Sequence, residues 1–193
     1  MTNGRRIGLA LGTFAALLAA GCGGGGGGSS STTAGIDRGG ITVAQGPISG
    51  FGSVIVNGVH YSTSGATITI DDQPGTESDL KAGQVVRVEA TLDASGTTGV
   101  AKKIAFDGDV EGPVQSIDLA ASRLVVLGQA VQTSAATSFG DSIVPRGLDG
   151  LQLGDRVEVS GLASAGGLIA ATRIERKSAV GGFEVTGVAV QVD

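Results

Sequence analysis

The sequence predicts an all-β fold: two tandem, small, OB-like antiparallel barrels behind a signal peptide and a Gly/Ser-rich linker, with a β-sandwich as the alternative. Three observations lead there. The pattern L-x-x-G-x-x-V-x-V occurs twice, at Leu80–Val88 and at Leu151–Val159. Within each copy apolar residues recur with period two, the spacing of a half-buried strand. After Ala20 no apolar period of 3.6 persists for three turns, so no amphipathic helix is expected.

The chain opens with Arg5 and Arg6, an apolar run of fourteen residues from Ile7 to Ala20, and a small-residue exit. That order makes residues 1–21 a secretory signal peptide, since a helix needs roughly 20 residues to cross the hydrocarbon core. Arg5-Arg6 also admits a twin-arginine export reading, without the flanking residues that would strengthen it. Leu18-Ala19-Ala20-Gly21-Cys22 resembles the lipobox of bacterial lipoproteins, with Ala19 where that family usually carries leucine. The resemblance implies cleavage before Cys22, acyl chains on that cysteine, and the membrane as a partner reached through the lipid. Each buried methylene contributes about 0.8 kcal/mol, so more than one chain gives stable attachment. Gly23 is not the aspartate that resembles an inner-membrane retention signal. The expected location is therefore the outer membrane of a cell envelope, at the periplasmic face or the cell surface.

Residues 22–45 read as the lipidated cysteine and a flexible linker. Gly23–Gly28 and Ser29–Thr33 offer no apolar surface to offset the cost of ordering them. The glycine tract matches G-x-G-x-x-G trivially, but it has no strand before it and no helix after it. No cofactor is expected.

Two units follow, 46–110 and 111–178. Gly46-Pro47-Ile48 and Gly112-Pro113-Val114 open them; Ala101-Lys102-Lys103-Ile104 and Ala171-Thr172-Arg173-Ile174 lie in their last strands. A repeat of 66 residues (46 to 112) to 71 residues (80 to 151) suits a small domain better than a solenoid unit. In the first unit Asn57-Gly58 between Ser53–Val56 and Val59–Tyr61 marks a hairpin with a type I′ turn. Leu127-Gly128 takes that place in the second unit. Ala66–Asp71, Gln84–Leu92 and Val100–Asp107 supply three more strands, for five in all. Val86, Val88, Ala90 and Leu92 share one face, opposite Arg87, Glu89 and Thr91. Val157 and Val159 alternate with Arg156, Glu158 and Ser160, whose polar side is expected to face solvent. Thr76–Leu80 and Leu148–Leu151 suit single helical turns. Five short strands must hide their edges, and closing into a barrel does so. From Gly46 to Lys177 the openings, the L-x-x-G-[DQ]-x-V-x-V middles and the A-x-[KR]-I strands resemble tandem domains of unknown function in bacterial lipoproteins and exported proteins. That family has no established activity to lend. Residues 179–193 read as part of a third unit, because Gly187–Asp193 parallels Gly112–Asp118.

A net charge of −5 argues against a basic nucleic-acid surface, and 3% aromatic content leaves few stacking platforms. One cysteine permits no internal disulfide and no thiolate cluster. His60 is the only histidine, with no second ligand or catalytic partner in view, and no G-x-S-x-G elbow occurs. No catalytic residue is assigned and no enzyme is expected. Asp107, Asp109 and Glu111 are the weak candidates for a metal, since a period of two puts three carboxylates on one face and Ca²⁺ wants six to eight oxygens. Asp71-Asp72 reads as turn residues before Pro74-Gly75. The function expected is a lipid-anchored binding or scaffolding module of the cell envelope, contacting an envelope protein, peptide or glycan. A structural or adhesive surface repeat is the alternative, with an envelope enzyme the least favoured.

Overall fold

The structure is a computed structural model that describes residues 40–178 and 182–186. The first unit contains β1 (Thr42–Gly50), β2 (Val54–Val56), β3 (Val59–Ser62), β4 (Thr67–Ile70), β5 (Gln73–Gly75), β6 (Val85–Leu92) and β7 (Thr98–Phe106). Five of these form a ring in the order β3-β2-β1-β6-β7, and β3 closes it by pairing with β7. The other pairs of the ring are antiparallel, but the closing pair is parallel, from His60↔Thr98 to Ser62↔Val100. Closure removes the edges that short strands would otherwise leave open.

Two assignments change. Ala66–Asp71 is not a ring strand: β4 lies outside, parallel to the far end of β7 from Thr67↔Lys103 to Ile70↔Phe106, with β5 beside it. Its expected place belongs to β1, which starts at Thr42, within the stretch read as linker. Thr42–Pro47 pair residue by residue with Ala90–Val85, so these backbone groups belong to the ladder. A Thr-Ile-Thr-Ile segment announces a strand without announcing its partner.

The second unit repeats the plan with β8 (Val110–Asp118), β9 (Arg123–Val126), β10 (Gln129–Gln132), β11 (Ser138–Phe139), β12 (Arg156–Ala163) and β13 (Ile169–Arg176). The ring order is β10-β9-β8-β12-β13, again closed by a parallel pair, Val131↔Ile169 and Gln132↔Ala170. Both hairpin tips are left-handed, Asn57 at φ 52° and Gly58 at 77°, Leu127 at 49° and Gly128 at 78°. These angles match the right-handed twist of the flanking strands. The expected single turns are present as 3₁₀ segments, Glu77–Asp79 and Leu148–Gly150. A last strand, β14 (Glu184–Val185), pairs antiparallel with the start of β8. Residues 179–181 and 187–193, which belong to the segment read as a third unit, lie outside the described residues.

Each barrel has its own core. In the first, Val86, Val88 and Ala90 point inward with Ile48, Tyr61 and Phe106; in the second, Val157, Val159, Leu124 and Ile174 do the same. Fully burying such a side chain contributes about 1.5–3 kcal/mol.

On β12 the alternation read from sequence fails on its outer side. Glu158 and Ser160 are only 4% and 2% exposed, because barrel 1 covers them. Val85 N–H donates to Ser160 Oγ at 2.8 Å, and Arg173 Nη1 donates to the Ala82 carbonyl at 2.9 Å. Between them Gly83 turns with φ +90°, and a Cβ built there would meet Thr172 O at 2.7 Å. Thr172 is the extra residue of a β-bulge, where the β12–β13 register shifts between Ser160 and Gly161. Gly83 therefore needs both its left-handed backbone and its missing side chain.

Gly154, its equivalent in barrel 2, has φ +86° and open space around it. Gly154→Ala is expected to cost about 1–2 kcal/mol from backbone strain alone. Gly83→Ala should cost about 1–3 kcal/mol more, from the collision with Thr172. Thermal or urea denaturation of the two variants measures the difference; equal losses would mean that the close approach carries no energy.

Candidate functional site

The acidic run singled out in the sequence joins the two barrels, and its side chains part. Burial raises the Asp107 carboxyl above its usual pKa, helped by the negative charges of Asp72 and Asp71. Asp109 Oδ2 accepts the Gly161 N–H at 2.7 Å, and burial raises its pKa as well. Glu111 accepts Arg156 Nε at 2.8 Å and lies 2.7 Å from Arg156 Nη2. Three environments thus separate residues that a period of two would align. Among the described residues no group of three or more His, Cys, Asp or Glu side chains could hold a metal.

Beside them the buried Glu158 pairs with the half-buried Lys177, with Nζ 2.5 Å from Oε2. Burial raises the Glu158 pKa although Lys177 opposes it. For Lys177 burial works against the ammonium, and the carboxylates of Glu158, Glu111 and Asp71 together outweigh it, so its pKa rises. Arg156 extends the polar patch outward, donating to the Gly182 carbonyl and lying 5.5 Å from the Phe183 ring centre. This cluster holds β14 and the barrel joint in place, with its charges engaged by one another.

A different arrangement lies on barrel 1. A groove of about 490 Å³ is lined by Ser53, His60, Ser62, Leu92, Asp93 and Val100, with Thr91, Thr98 and Gly99 completing it. Its floor is built by backbone proximity. A Cβ on Gly99 would meet Leu92 Cδ2 at 2.8 Å and Thr91 O at 3.0 Å, so only glycine lets β6 and β7 approach so closely there. Val100 stays 54% exposed at the rim. Ser53 Oγ lies 3.2 Å from His60 Nδ1, tying the exposed imidazole to the β1–β2 loop. The β6–β7 loop is fixed by Asp93, whose Oδ2 accepts Thr98 Oγ1 at 2.6 Å and whose Oδ1 accepts the Ser95 and Gly96 N–H groups. The Thr98 and Ser95 hydroxyls lead in lowering this carboxyl to a pKa of about 2.

Barrel 2 carries different residues at the corresponding place. By register Ile169 stands where Gly99 stands, and Ala130 where His60 stands. Gln129 Nε2 reaches across to the Gly167 carbonyl. Sequence reading found His60 but missed Leu92 and Val100, because the groove depends on a cross-strand register. Gly99 beside an apolar Val100 was the available signal. Cys22 lies outside the described residues.

A closed five-stranded barrel with a parallel final pairing, present twice, places the chain among small β-barrel modules. Residues 38–105 and 111–175 each match the family described as Domain of unknown function (DUF5666), and the chain belongs to that family. No match is found among curated proteins or among solved structures.

The titrations make a pH prediction with two signs. Carboxyls raised on folding, Asp107, Asp109 and Glu158, contribute stability that is full below their ordinary pKa and is lost as pH climbs through the raised values. Asp93 has the opposite sign: its contribution is present above the ordinary carboxylate range and is lost as pH falls through about 2. Urea midpoints should rise on mild acidification from neutrality and then fall in strong acid. Asp109→Asn should flatten the rise and leave the acid limb in place; an unchanged rise would refute the Asp109 assignment.

Proposed function

We propose that the chain is an exported binding module of the cell envelope, anchored by acyl chains on Cys22, which offers the barrel 1 groove to an extended protein or peptide segment. The groove carries this reading. Five-stranded barrels of this type take ligands across strands 2 and 3 with their adjoining loops, and here β3, Ser53 of the β1–β2 loop and the loop fixed by Asp93 line the groove. A largely apolar lining with a few oriented polar groups suits side-chain insertion. No Phe, Tyr or Trp lines the groove, and the single His60 imidazole is a small platform for a run of bases or sugars, which favours a peptide over a glycan or nucleic acid. Loops held by Asp93 reduce the ordering cost of binding. The Cys22 anchor is supported by the lipobox-like residues and by the glycine-rich spacer ahead of barrel 1. Outer-membrane placement is proposed from Gly23 on the same basis.

Two measurements test the halves of the proposal separately. In cells given an alkynyl palmitate analogue, the chain should take up label and sediment with membranes, and Cys22→Ser should abolish both; equal partition of the two forms would remove the anchor. A photo-crosslinking amino acid placed at Val100 should give one discrete adduct with an envelope protein, while the same group at exposed Leu119 on barrel 2 should not. Indistinguishable patterns at the two positions would remove the groove from the account.

A further inference from the structure

The joint between the barrels centres on a loop and a seat that each barrel possesses; the one part not repeated is Ser160, which accepts the Val85 N–H and whose counterpart in barrel 1 is Glu89. Barrel 1 contributes a loop, Ala82-Gly83, that rests on the barrel 2 bulge; the loop's counterpart in barrel 2 is Leu153-Gly154. Barrel 2 contributes a seat of three residues beneath Gly83: Ser138, Thr172 and Arg173. The register places Thr67, Lys102 and Lys103 at those positions in barrel 1, since Thr67 pairs with Lys103 as Ser138 pairs with Arg173. The bulge is duplicated too, with the β6–β7 register shifting between Glu89 and Ala90 as the β12–β13 register shifts between Ser160 and Gly161. One loop and one seat are therefore engaged, and one of each faces solvent. Leu153 is 68% exposed and Gly154 has nothing within 4 Å of a built Cβ, while Thr67, Lys102 and Lys103 are all exposed.

We propose that the open loop of one copy docks on the open seat of a second copy of this chain, repeating between molecules the joint already made within each one. Gly154 would sit on the Lys102 carbonyl as Gly83 sits on that of Thr172. Lys103 Nζ would donate to the Leu153 carbonyl, as Arg173 Nη1 donates to that of Ala82. Charge favours the match: the seat carries two lysines, and the turn leading into the loop carries exposed Asp149. Loop and seat are different surfaces, so the contact is heterologous and propagates as a row of barrels unless its rotation closes a ring. This interface is independent of the groove on barrel 1.

The test uses the full chain with Cys22→Ser in detergent, which leaves it free of thiols. One preparation carries Leu153→Cys and another Thr67→Cys. Mixed under mild oxidation, they should give a heterodimeric disulfide well above the yield of either alone, or of Leu153→Cys mixed with Leu119→Cys. Sedimentation velocity of the Cys22→Ser chain should show a weight-average coefficient that rises with concentration. Lys103→Glu, on the exposed seat, should weaken that association about tenfold or more by removing the donor and placing an acid near Asp149. Gly154→Val should do the same from the loop side. A monomer at every concentration, or association and crosslinking indifferent to Lys103→Glu, would overturn the proposal.

Discussion

The parallel contact that closes each barrel constrains the rest of the structure. For β3 to run alongside β7, the last strand must be long enough to serve β6 along its length, β3 at one end and β4 at the other. A strand asked to satisfy partners on both sides while curving around a narrow ring tends to take up an extra residue, and each last strand does so at the same place, Lys102 and Thr172. Closure also obliges β1 to divide itself, pairing with β6 over its first half and with β2 beyond it. The hairpins and bulges are consequences of fitting five short strands into a closed ring.

Given nearly the same ring twice, the chain differentiates its copies by what touches their outer faces. On β12 the outward side chains are Glu158 and Ser160, buried against barrel 1; on β6 the corresponding Arg87 and Glu89 form a loose surface ion pair at 3.7 Å. Such an exposed pair contributes little. The polar groups of the joint carry more energetic weight, because each buried donor or acceptor must find its partner within the interface. The groove region differs in the same manner: Gly99 of barrel 1 stands in register with Ile169 of barrel 2.

Much of the fold was legible in the sequence. Val86, Val88 and Ala90 announce an inward face by their spacing, and the two hairpin tips announce themselves by residues suited to left-handed backbone or by their place in the repeat. What escaped was relational. Glu158 is written like a solvent-facing residue, and only the second body shows why it is not. Thr67–Ile70 is a good strand in isolation and lies outside the ring because β1 takes the seat assigned to it. Among the candidate site residues, Asp107, Asp109 and Glu111 were recognisable as unusual, yet their separation depends on Asp71, Gly161 and Arg156, each brought in by long-range pairing. His60 was visible, but Leu92 and Val100 acquire meaning only through the close approach of β6 and β7 at Gly99.

The glycine that opens each unit has a consequence of its own. A side chain at Gly46 would run into Asn57, and one at Gly112 into Leu127, because in both barrels the tip of the first hairpin folds over the backbone of the first strand. In barrel 1 the Asn57 amide also donates to the Gln45 carbonyl at 3.0 Å. The two tips share no chemistry, one an amide and the other an aliphatic chain, so the glycine works as an indentation rather than as a partner. Tip and indentation form a snap fastener whose stud can be exchanged while its socket stays fixed. The tip residue is thus a natural position for installing a reporter group without redesigning the barrel beneath it.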